Sequence, residues 1–359
     1  MRILFLAKRR YTNKDALREK FGRVYQLPLA WTNVGHAVGL ALLDYRALRQ
    51  ENSSADGFEV RSLPLLGSIL RLTALSKEWR PDVIIASGDC FVGIAGLHLA
   101  KAMKVPFVFD VYDDYSSFGS YRAFLGWDAF RYLLGRANLV FYASNSLADR
   151  HRSRSPWAMV PNGVDPRAFH PMPVSQVRDR LGIAPSTKLV GYFGSMEPDR
   201  GVADLVAAVG KLHAIDPGVR MLLCGTPLGA DTRFPSWVDY RGVVPHSAMA
   251  AYVNACDVLA LPYRRSPTMD MGASCKIAEY LLCDRPLVAT DTPNFTSNFP
   301  TQASELGAAM CRPSDPTDLA RAIFLQLQEA RIVSQPEGHT WPRIAAAALA
   351  AIVDLVDPA

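Results

Sequence analysis

The chain has 359 residues, of which 49% are hydrophobic and 20% are charged. This length exceeds one ordinary domain and predicts two, and the composition is typical of a globular protein with an ample core. The longest apolar runs fall well short of the ~20 residues that span a bilayer, so no transmembrane helix is predicted. The N-terminal stretch MRILFLAKRR is an apolar strand followed by bases, the reverse order of a signal peptide, and we therefore expect a cytoplasmic protein.

Positive charge is concentrated in the first half of the chain. Residues 1–165 contain 22 Lys and Arg against 15 Asp and Glu, and much of the excess lies in segment 8–23. Two interpretations are open: a solvated face or loop, or a basic surface that contacts an anionic acceptor or, at the inner face of the membrane, anionic lipid headgroups. No recognition module accompanies the charge, so we expect no nucleic acid partner.

The cysteines and histidines lack the spacing of a metal site. None of the six cysteines forms a CxxC pair, and most lie in apolar runs, where a free thiol packs as a small hydrophobe. His36, His246 and His339 also lack metal-ligand spacing, and each is predicted to be structural. We therefore expect no metal and no cofactor.

Predicted strands alternate with predicted helices through the first half of the chain. Because the strands are rich in Val, Ile, Leu and Phe without polar alternation, we expect them to be buried on both faces of a parallel sheet. The alternation predicts a doubly wound α/β domain. The strands are expected at 2–7, 38–45, 58–65, 82–87, 106–111, 138–144 and 157–161, and the helices near 22–34, 67–79, 91–103, 121–136 and 146–153.

The alternation stops at 160–188, where prolines and glycines without a clean period predict a linker. It then restarts, which predicts a second α/β domain and a cleft between the two. The predicted domains are 1–162, 163–340 and a C-terminal helix within 341–359 that returns to the first domain. The later elements are strands at 188–194, 219–225, 237–243, 257–263 and 287–290, and helices near 200–214, 247–254, after 274 and at 342–356.

Seven motifs in order resemble the retaining glycosyltransferases of the GT-B fold, in particular family 4. The linker motif MVPNGVDPRAFHP is the first sign, and each motif alone is weak. The resemblance implies transfer of a sugar from a nucleoside-diphosphate donor to a glycan or lipid-linked acceptor, with retention and without a metal ion. The other motifs are NVGHAV, ANLVFYASNSLADR, GYFGSMEPDRGVADLVAAV, DVLALPY, MDMGASCKIAEYLLCDRPLVATD and CRPSDPTDLARAI.

The segment MDMGASCKIAEY carries the predicted donor site. Phosphates need cations and free backbone N–H groups, and a helix N-terminus supplies the latter. The small residues at 272–274 allow close approach of a diphosphate to the amides of Ser274, Cys275 and Lys276, with Lys276 adding charge. Glu279 is the glutamate to which the resemblance assigns the two ribose hydroxyls. The alternative is an ordinary amphipathic surface helix.

One position departs from the family pattern. The resemblance places a second glutamate, which contacts the donor sugar, eight residues before Glu279, and Met271 stands there with Asp270 beside it. Either Asp270 takes the role through a shift of one residue, or the sugar is held by backbone groups alone. The identity of the donor sugar therefore stays open.

The loop FGSMEPDRG resembles the one that supplies an Arg and a Lys to the diphosphate. Ser195 stands at the Arg position and Arg200 at the Lys position. A guanidinium still offers a permanent charge and a bidentate fork, so Arg200 and Lys276 are predicted to stabilise the leaving diphosphate. The alternative is a helix-capping loop that contains an Arg. Val243, which ends WVDYRGV, completes the predicted donor-binding set.

Three acidic residues of the first domain are candidates for contact with the acceptor. Asp110, Asp113 and Asp114 follow a buried strand, and Asp113 is the candidate that binds a sugar hydroxyl or takes the acceptor proton. The alternative is that Ser117 or Ser120 caps the next helix and the acids are solvated turn residues. Gly22 and Arg23 are predicted to remain from a glycine-rich acceptor or phosphate loop.

These observations predict a metal-independent, retaining glycosyltransferase of polysaccharide or glycolipid assembly. Two other functions stay open. The first is a nucleotide-sugar-binding subunit without catalysis, for which Met271 and Ser195 are the main arguments. The second is a nucleotide-sugar epimerase, which shares the fold and needs no acceptor.

Overall fold

The computed structural model describes residues 1–11, 14–46, 48–117, 127–227 and 233–357. The chain divides into two compact units. Unit 1 comprises Met1–Gly163, Met271–Ala273 and Gly338–Ala359, and unit 2 comprises Val164–Asp270 and Ser274–Glu337. Each unit contains a single large sheet of parallel strands with helices packed on it, as the strand composition predicts.

The described residues of unit 1 before the linker form ten strands and six helices. The strands are β1 (Arg2–Lys8), β2 (Arg10–Tyr11), β3 (Lys14–Asp15), β4 (Ala37–Asp44), β5 (Glu51–Ala55), β6 (Phe58–Pro64), β7 (Val83–Ser87), β8 (Phe107–Val111), β9 (Leu139–Tyr142) and β10 (Trp157–Met159). The helices are α1 (Ala16–Glu19), α2 (Arg23–Asn33), α3 (Ser68–Trp79), α4 (Cys90–Met103), α5 (Ala129–Leu134) and α6 (Asn145–Arg150).

The sheet of unit 1 has the order β10-β9-β8-β7-β1-β4-β6-β5. Its strands are parallel except β5, which pairs with β6 antiparallel. The predicted parallel strands are confirmed, whereas β5 was not predicted. Its sequence, ENSSA, is polar, and an edge strand needs neither an apolar run nor two covered faces.

Side-chain caps fix the starts of several helices in unit 1. The Asp89 carboxylate accepts hydrogen bonds from the second and third residues of α4, and Ser144 Oγ accepts one from Leu147 N in α6. The Asp128 carboxylate caps α5, so the described part of the helix predicted near 121–136 begins at Ala129. Ser120 and the side chain of Ser117, the alternative caps, lie outside the described residues.

Unit 2 contains the remaining elements except the last helix. They are α7 (Val174–Leu181), β11 (Lys188–Phe193), α8 (Val202–Ile215), β12 (Val219–Cys224), β13 (Val238–Tyr240), α9 (His246–Ala255), β14 (Val258–Leu261), α10 (Pro267–Met271), α11 (Cys275–Leu282), β15 (Leu287–Thr290), α12 (Pro293–Thr296), α13 (Pro300–Leu306), β16 (Met310–Cys311) and α14 (Pro316–Glu329).

The sheet of unit 2 has the order β13-β12-β11-β14-β15-β16, with every pair parallel. This is the doubly wound order, in which the strand sequence reverses direction between the first and fourth strands of the unit. Helix α7 was not predicted, because it lies in the proline-rich segment read as a linker. Its Val177 and Arg178 are buried, so tertiary packing rather than periodicity stabilises it.

The last helix, α15 (Trp341–Val356), belongs to unit 1. Its apolar face packs in the same core cluster as β1 and α2. Trp31 Nε1 in α2 donates a hydrogen bond to the carbonyl oxygen of Ala345 at 2.8 Å. Within the described residues, no helix is long and apolar enough to cross a membrane.

Three residues of the later sequence, Met271–Ala273, also belong to unit 1, which differs from the contiguous domains that the sequence predicts. Their backbone explains the assignment. Ser144 Oγ donates to the carbonyl oxygen of Met271 at 2.7 Å, and Asn162 Nδ2 donates to that of Ala273 at 2.8 Å. Polar side chains of unit 1 thus hold this segment in place.

Candidate functional site

The strongest candidate site lies in unit 2, at the carboxyl ends of β11 and β14. Ligands of doubly wound sheets bind where the strand order reverses, which is between these two strands. The segments that follow them, 194–201 and 262–270, together with Ser274 and helix α11, contain every predicted donor-binding residue except Val243. The topology therefore brings two predicted motifs, FGSMEPDRG and MDMGASCKIAEY, to one edge of the sheet.

Hydrogen bonds between elements hold these loops in place. Phe193 N at the end of β11 donates to Tyr280 Oη of α11 at 2.9 Å. The Arg264 guanidinium donates two hydrogen bonds, of 2.6 and 2.7 Å, to the Asp204 carboxylate in α8. The position of α11 relative to β11 is therefore fixed by the fold of the unit itself.

Two glycines allow the backbone to pass closely at this edge. Gly194 has φ +143°, and a Cβ there would collide with Lys276 Nζ. Gly201 has φ +67°, and a Cβ there would collide with the carbonyl oxygen of Pro262. Only glycine meets both conditions, a left-handed φ and no side chain. Gly194 therefore leaves the space that the Lys276 ammonium occupies.

Arg200 and Lys276, the two predicted phosphate ligands, both lie beside the ring of Tyr263. Lys276 Nζ is 4.0 Å from the ring centroid of Tyr192 and 5.7 Å from that of Tyr263. The Arg200 guanidinium carbon is also 5.7 Å from the Tyr263 centroid. The electron-rich ring faces attract both cations. The sequence does not predict these tyrosines as site residues, because a tyrosine within a predicted buried strand is expected to belong to the core.

The electrostatics of this pair favour an anion. Desolvation by burial, together with the charge of Arg200, holds the pKa of Lys276 well below its usual range. Within the described residues, no carboxylate lies within ion-pairing distance of Lys276, and Arg200 has Glu197 at 3.5 Å. Two cations brought together without a bridging acid repel each other, and a dianion would relieve that repulsion.

The N-terminus of α11 lies beside the cations. Ser274 is its N-cap but makes no side-chain capping hydrogen bond; its Oγ is 3.2 Å from the hydroxyl oxygen of Tyr263. Since Cys275 and Lys276 are the first residues of α11, their amides face the end of the helix, as the sequence predicts. The helix dipole adds a partial positive charge at the same place.

Glu279 lies one turn further along α11 and is mostly buried. His246 Nε2, at the start of α9, is 3.0 Å from Glu279 Oε1. The ring of Phe169 packs against His246 with centroids 5.3 Å apart. His246 was predicted to be structural; the structure makes it the partner of the predicted ribose-binding carboxylate.

Three other predicted donor residues have distinct positions. Both carboxylate oxygens of Asp270 accept hydrogen bonds from Arg265 Nε, at 3.0 and 2.9 Å. Asp270 would therefore exchange this partner in order to contact a sugar. Ser195 lies in the loop after β11, where its carbonyl oxygen accepts a hydrogen bond from Tyr192 Oη at 2.9 Å. Val243 is exposed in the loop after β13.

Arg23 and Asp110 of unit 1 form a buried ion pair. Arg23 Nη2 and Nε donate to the Asp110 oxygens at 2.6 and 3.0 Å, and both side chains are fully buried. Ser87 Oγ donates to the same carboxylate at 2.5 Å, and Arg23 Nη1 donates to Asn162 Oδ1 at 3.2 Å. A guanidinium in this position does not reach a phosphate in solvent, so the phosphate-loop prediction for Arg23 is not favoured. Gly22, with φ +69°, is the N-cap of α2.

The other acids of this segment differ in exposure. Asp114 is buried, with His151 Nε2 at 2.8 Å and Arg150 Nε at 3.3 Å. Desolvation opposes the charge, but the hydrogen bond from Ser116 and the positive neighbours keep the pKa of Asp114 below its usual value. Asp113 is half-buried, and its carboxylate accepts a hydrogen bond from Asp114 N. Of the three acids, Asp113 is thus the one that is not fully buried.

Several basic side chains of segment 8–23, for which a solvated face and a basic contact surface both stay open, lie beside carboxylates. Arg9 is buried and pairs with Asp15, Asp44 and Glu51 at 3.0, 3.3 and 2.8 Å. The acids come from neighbouring strands, which the sequence count could not anticipate. Lys8, Arg18 and Lys20 also lie within 4 Å of a carboxylate, at 3.7, 3.1 and 2.8 Å.

Thiols and possible metal ligands are scattered. All six cysteines are free, and Cys275 alone is not fully buried. Among the residues that the structure describes, no three His, Cys, Asp or Glu side chains are grouped as metal ligands.

Comparison with protein families matches both units. Residues 187–329 match the family model described as Glycosyl transferases group 1. Residues 23–168 match the model described as Glycosyltransferase Family 4. The two matches include most of the elements of both sheets.

The sequence identity to individual relatives is low. The chain is 28% identical over 182 residues to D-inositol 3-phosphate glycosyltransferase of Stackebrandtia nassauensis, covering 46% of this chain and 39% of the relative. It is 24% identical over 285 residues to glycogen synthase of Mycobacterium tuberculosis, covering 72% of this chain and 63% of the relative. The chain thus spans less than two thirds of the length of either relative.

Among solved structures, HepE of Anabaena in complex with UDP superposes with a TM-score of 0.66 at 20% identity. The match covers 99% of this chain and 96% of HepE. At this identity the likeness establishes the fold, and it confirms the predicted GT-B class.

Proposed function

Since the chain belongs to the glycosyltransferases of group 1 and family 4, we propose that it transfers a sugar from a nucleoside-diphosphate sugar to a hydroxyl acceptor. The transfer retains the anomeric configuration and needs no metal ion. The product is a polysaccharide or a glycolipid.

The observation that carries the proposal is the convergence of Arg200, Lys276 and the N-terminus of α11 at the switch point of unit 2. A sugar nucleotide presents two phosphates, and the leaving diphosphate gains negative charge as the glycosidic bond breaks. Preorganised cations and amides stabilise such charge without reorganisation. They would supply the stabilisation that a metal ion supplies in other phosphate sites.

Glu279 would bind the ribose of the donor. Its carboxylate can accept two hydrogen bonds from vicinal hydroxyls. His246 Nε2 lies within hydrogen-bonding distance of Oε1 and would orient the carboxylate. HepE is a structural neighbour solved with UDP, which makes UDP the first nucleotide to test.

The acceptor hydroxyl would attack the sugar on the face from which the diphosphate departs. The departing phosphate would take the acceptor proton, so no separate base is required on the reacting face. Asp113 in unit 1 is the proposed contact to a sugar hydroxyl, because it is half-buried whereas Asp110 and Asp114 are buried.

Calorimetry with UDP tests the donor site. Arg200→Ala and Glu279→Ala should each weaken binding by about 1–3 kcal/mol, the scale of a charged hydrogen bond. Arg220→Ala, a change to another arginine of unit 2 whose guanidinium donates to the carbonyl oxygen of Ser236, should leave affinity unchanged. Unchanged affinity in both site variants would refute the site.

A second function, nucleotide-sugar binding without catalysis, is favoured by one observation. The Asp270 carboxylate is engaged by Arg265, and Met271 replaces the family acid. Incubation with donor alone separates the functions: slow release of nucleotide supports a transferase, binding without release supports the subunit, and a new sugar epimer supports an epimerase. With an acceptor supplied, the anomeric proton coupling of the product reports retention.

A further inference from the structure

A cavity lies at the amino-terminal edge of the unit 2 sheet. Its volume is about 320 Å³, within the range of about 300–1,000 Å³ that is typical of ligand pockets. It is lined by residues at the starts of β11, β14 and β15, by α7 and by the end of α14. Because the strands are parallel, the donor-site segments lie at the opposite edge. The six residues of β11, about 20 Å, separate the two edges.

One wall of the cavity is built by Arg178 of α7, which is only 5% exposed. Its Nε and Nη1 donate to the carbonyl oxygens of Ala255 and Pro185, both at 2.9 Å. Its Nη2 donates to Asp257 Oδ2 at 2.7 Å, and Leu189 N donates to the same oxygen at 2.7 Å. These bonds join α7 to the starts of β11 and β14, so this wall is held in place by the fold of the unit.

Arg285, in the turn before β15, lines the cavity with unused hydrogen-bond donors. Its Nε donates to the carbonyl oxygen of Cys256 at 2.8 Å, and among the described residues no partner is found for Nη1 or Nη2. The Asp257 carboxylate forms its ion pair with Arg178 instead. Burial lowers the pKa of Arg285, and nearby Asp257 offsets this only in part. The guanidinium is thus partly desolvated without a carboxylate of its own, and an oxyanion would supply the missing counter-charge.

The remaining lining of the cavity is partly cationic and partly apolar. Lys188 adds a third positive charge, although Asp216 Oδ2 lies 2.8 Å from its Nζ. Two hydroxyl groups, of Ser186 and Thr187, are available as further hydrogen-bond donors. The apolar part consists of Pro185, Pro286, Leu327, Ala330 and Ile332. A ligand that matches both parts has a negatively charged head and an apolar body.

We propose that this cavity binds a small organic oxyanion, a carboxylate or a phosphate monoester with an apolar body. The fork of the Arg285 guanidinium matches the paired oxygens of either head group. The apolar lining removes the body of the ligand from water. The cavity lies entirely in unit 2, and the inference depends neither on donor binding nor on sugar transfer.

Titrations of the full chain followed by ligand-observed NMR test the proposal. The probes are benzoate and phenyl phosphate, and benzamide is the uncharged analogue of benzoate. Arg285→Gln should weaken the binding of both probes by at least about tenfold, because charged hydrogen bonds are lost. Ile332→Asp should weaken it similarly, because it places a negative charge at the cavity wall. The control Arg220→Gln changes an exposed arginine of unit 2 that donates to the carbonyl oxygen of Ser236, and affinity should stay unchanged.

Repeating the titrations in an Arg200→Ala background excludes binding at the donor-site cations, and both probes should still bind there. The probe with the higher affinity identifies the preferred head group. Arg285→Lys keeps the charge without the fork and should retain part of the affinity. Because Ile332 is 52% exposed, its variant should remain folded, as unchanged circular dichroism would show.

Several outcomes would overturn the proposal. They are no binding of either probe by the parent chain, parental affinity in folded Arg285→Gln and Ile332→Asp, or equal affinity for benzamide and benzoate. Loss of binding on Arg200→Ala alone would place the probes in the donor site and would also overturn it.

Discussion

The two units use charge at the carboxyl edges of their sheets in opposite ways. In unit 1, Arg23 and Asp110 are fully buried and neutralise each other. In unit 2, Arg200 and Lys276 lie together beside Tyr263; Glu197 lies 3.5 Å from Arg200, and no carboxylate of the described residues lies within ion-pairing distance of Lys276. A buried ion pair whose groups are all satisfied stabilises a scaffold, whereas an excess of positive charge favours an anionic ligand. Changes in unit 1 should therefore affect stability, and changes in unit 2 should affect binding.

The largest expected effect is on the stability of unit 1. Asp110→Ala leaves the Arg23 guanidinium buried without its carboxylate and should lower the free energy of unfolding by about 3–5 kcal/mol. Five of the six tryptophans lie in unit 1, so urea unfolding followed by tryptophan fluorescence reports mainly on this unit.

The matched control is Asp149→Ala, which removes an exposed ion pair with Arg152 and should cost less than about 1 kcal/mol. A cost for Asp110→Ala that is no larger than the control would mean that the buried pair does not hold the scaffold.

In unit 2, the predicted effect is on binding and its pH dependence. Lys276→Met should weaken UDP-sugar binding by about 1.5–3 kcal/mol, because a charged hydrogen bond is lost. The pKa of Lys276 lies well below its ordinary value of 10.5 in the free protein, and a bound diphosphate should raise it. Between the lowered and the raised pKa, binding takes up a proton, so affinity should fall with rising pH by up to about tenfold per unit.

The same shift has a stability consequence. In the window between the lowered pKa and 10.5, the unfolded chain binds the Lys276 proton and the folded chain does not, so the stability of the ligand-free protein should rise with pH there. Titration calorimetry across that pH range measures the affinity, and scanning calorimetry measures the stability of the ligand-free protein. Repeating both in Lys276→Met isolates the contribution of Lys276. A pH dependence that survives unchanged in the variant would belong to other groups, including the nucleotide base.

A smaller effect is expected at Gly194. In Gly194→Ala the new Cβ displaces Lys276 Nζ, and UDP affinity should fall by about 1–2 kcal/mol as that charged hydrogen bond is distorted. Gly182→Ala is the control, since Gly182 also has a positive φ, +67°, but open space around its Cβ. Both variants carry backbone strain, and Gly194→Ala should lose more stability, because its φ of +143° lies outside the left-handed helical region. Equal affinities for UDP would show that the position of Lys276 does not matter.

The sequence predicts the two sheets well because their strands are nearly continuous apolar runs, as in β7 and β14. It misses β5 and α7, whose polar or proline-rich sequences become ordered only by packing. It indicates Lys276 through the small residues that precede a helix N-terminus, and Glu279 through the resemblance to the family motif. It does not predict the pairing of Arg23 with Asp110, since these residues are 87 positions apart and nothing local indicates the contact.

The smallest effect tests a contact that the sequence analysis missed, between His246 and Glu279. With Nε2 at 3.0 Å from Oε1, we expect the imidazole to orient the carboxylate for the proposed ribose contact rather than to bind nucleotide itself. His246→Ala should therefore weaken UDP binding by about 0.5–1.5 kcal/mol, the worth of one hydrogen bond, and His246→Gln, which keeps a donor, should restore part of it.

Two further measurements separate orientation from a general structural role. If His246 acts through Glu279, then His246→Ala should reduce the preference for UDP over 2′-deoxy-UDP, and it should have no further effect in a Glu279→Ala background. Additive losses in the double variant would place His246 in direct contact with the nucleotide. A gain in affinity on removal of the imidazole would mean that His246 competes with the ribose for the carboxylate, so the donor site would be closed rather than prepared in the free protein.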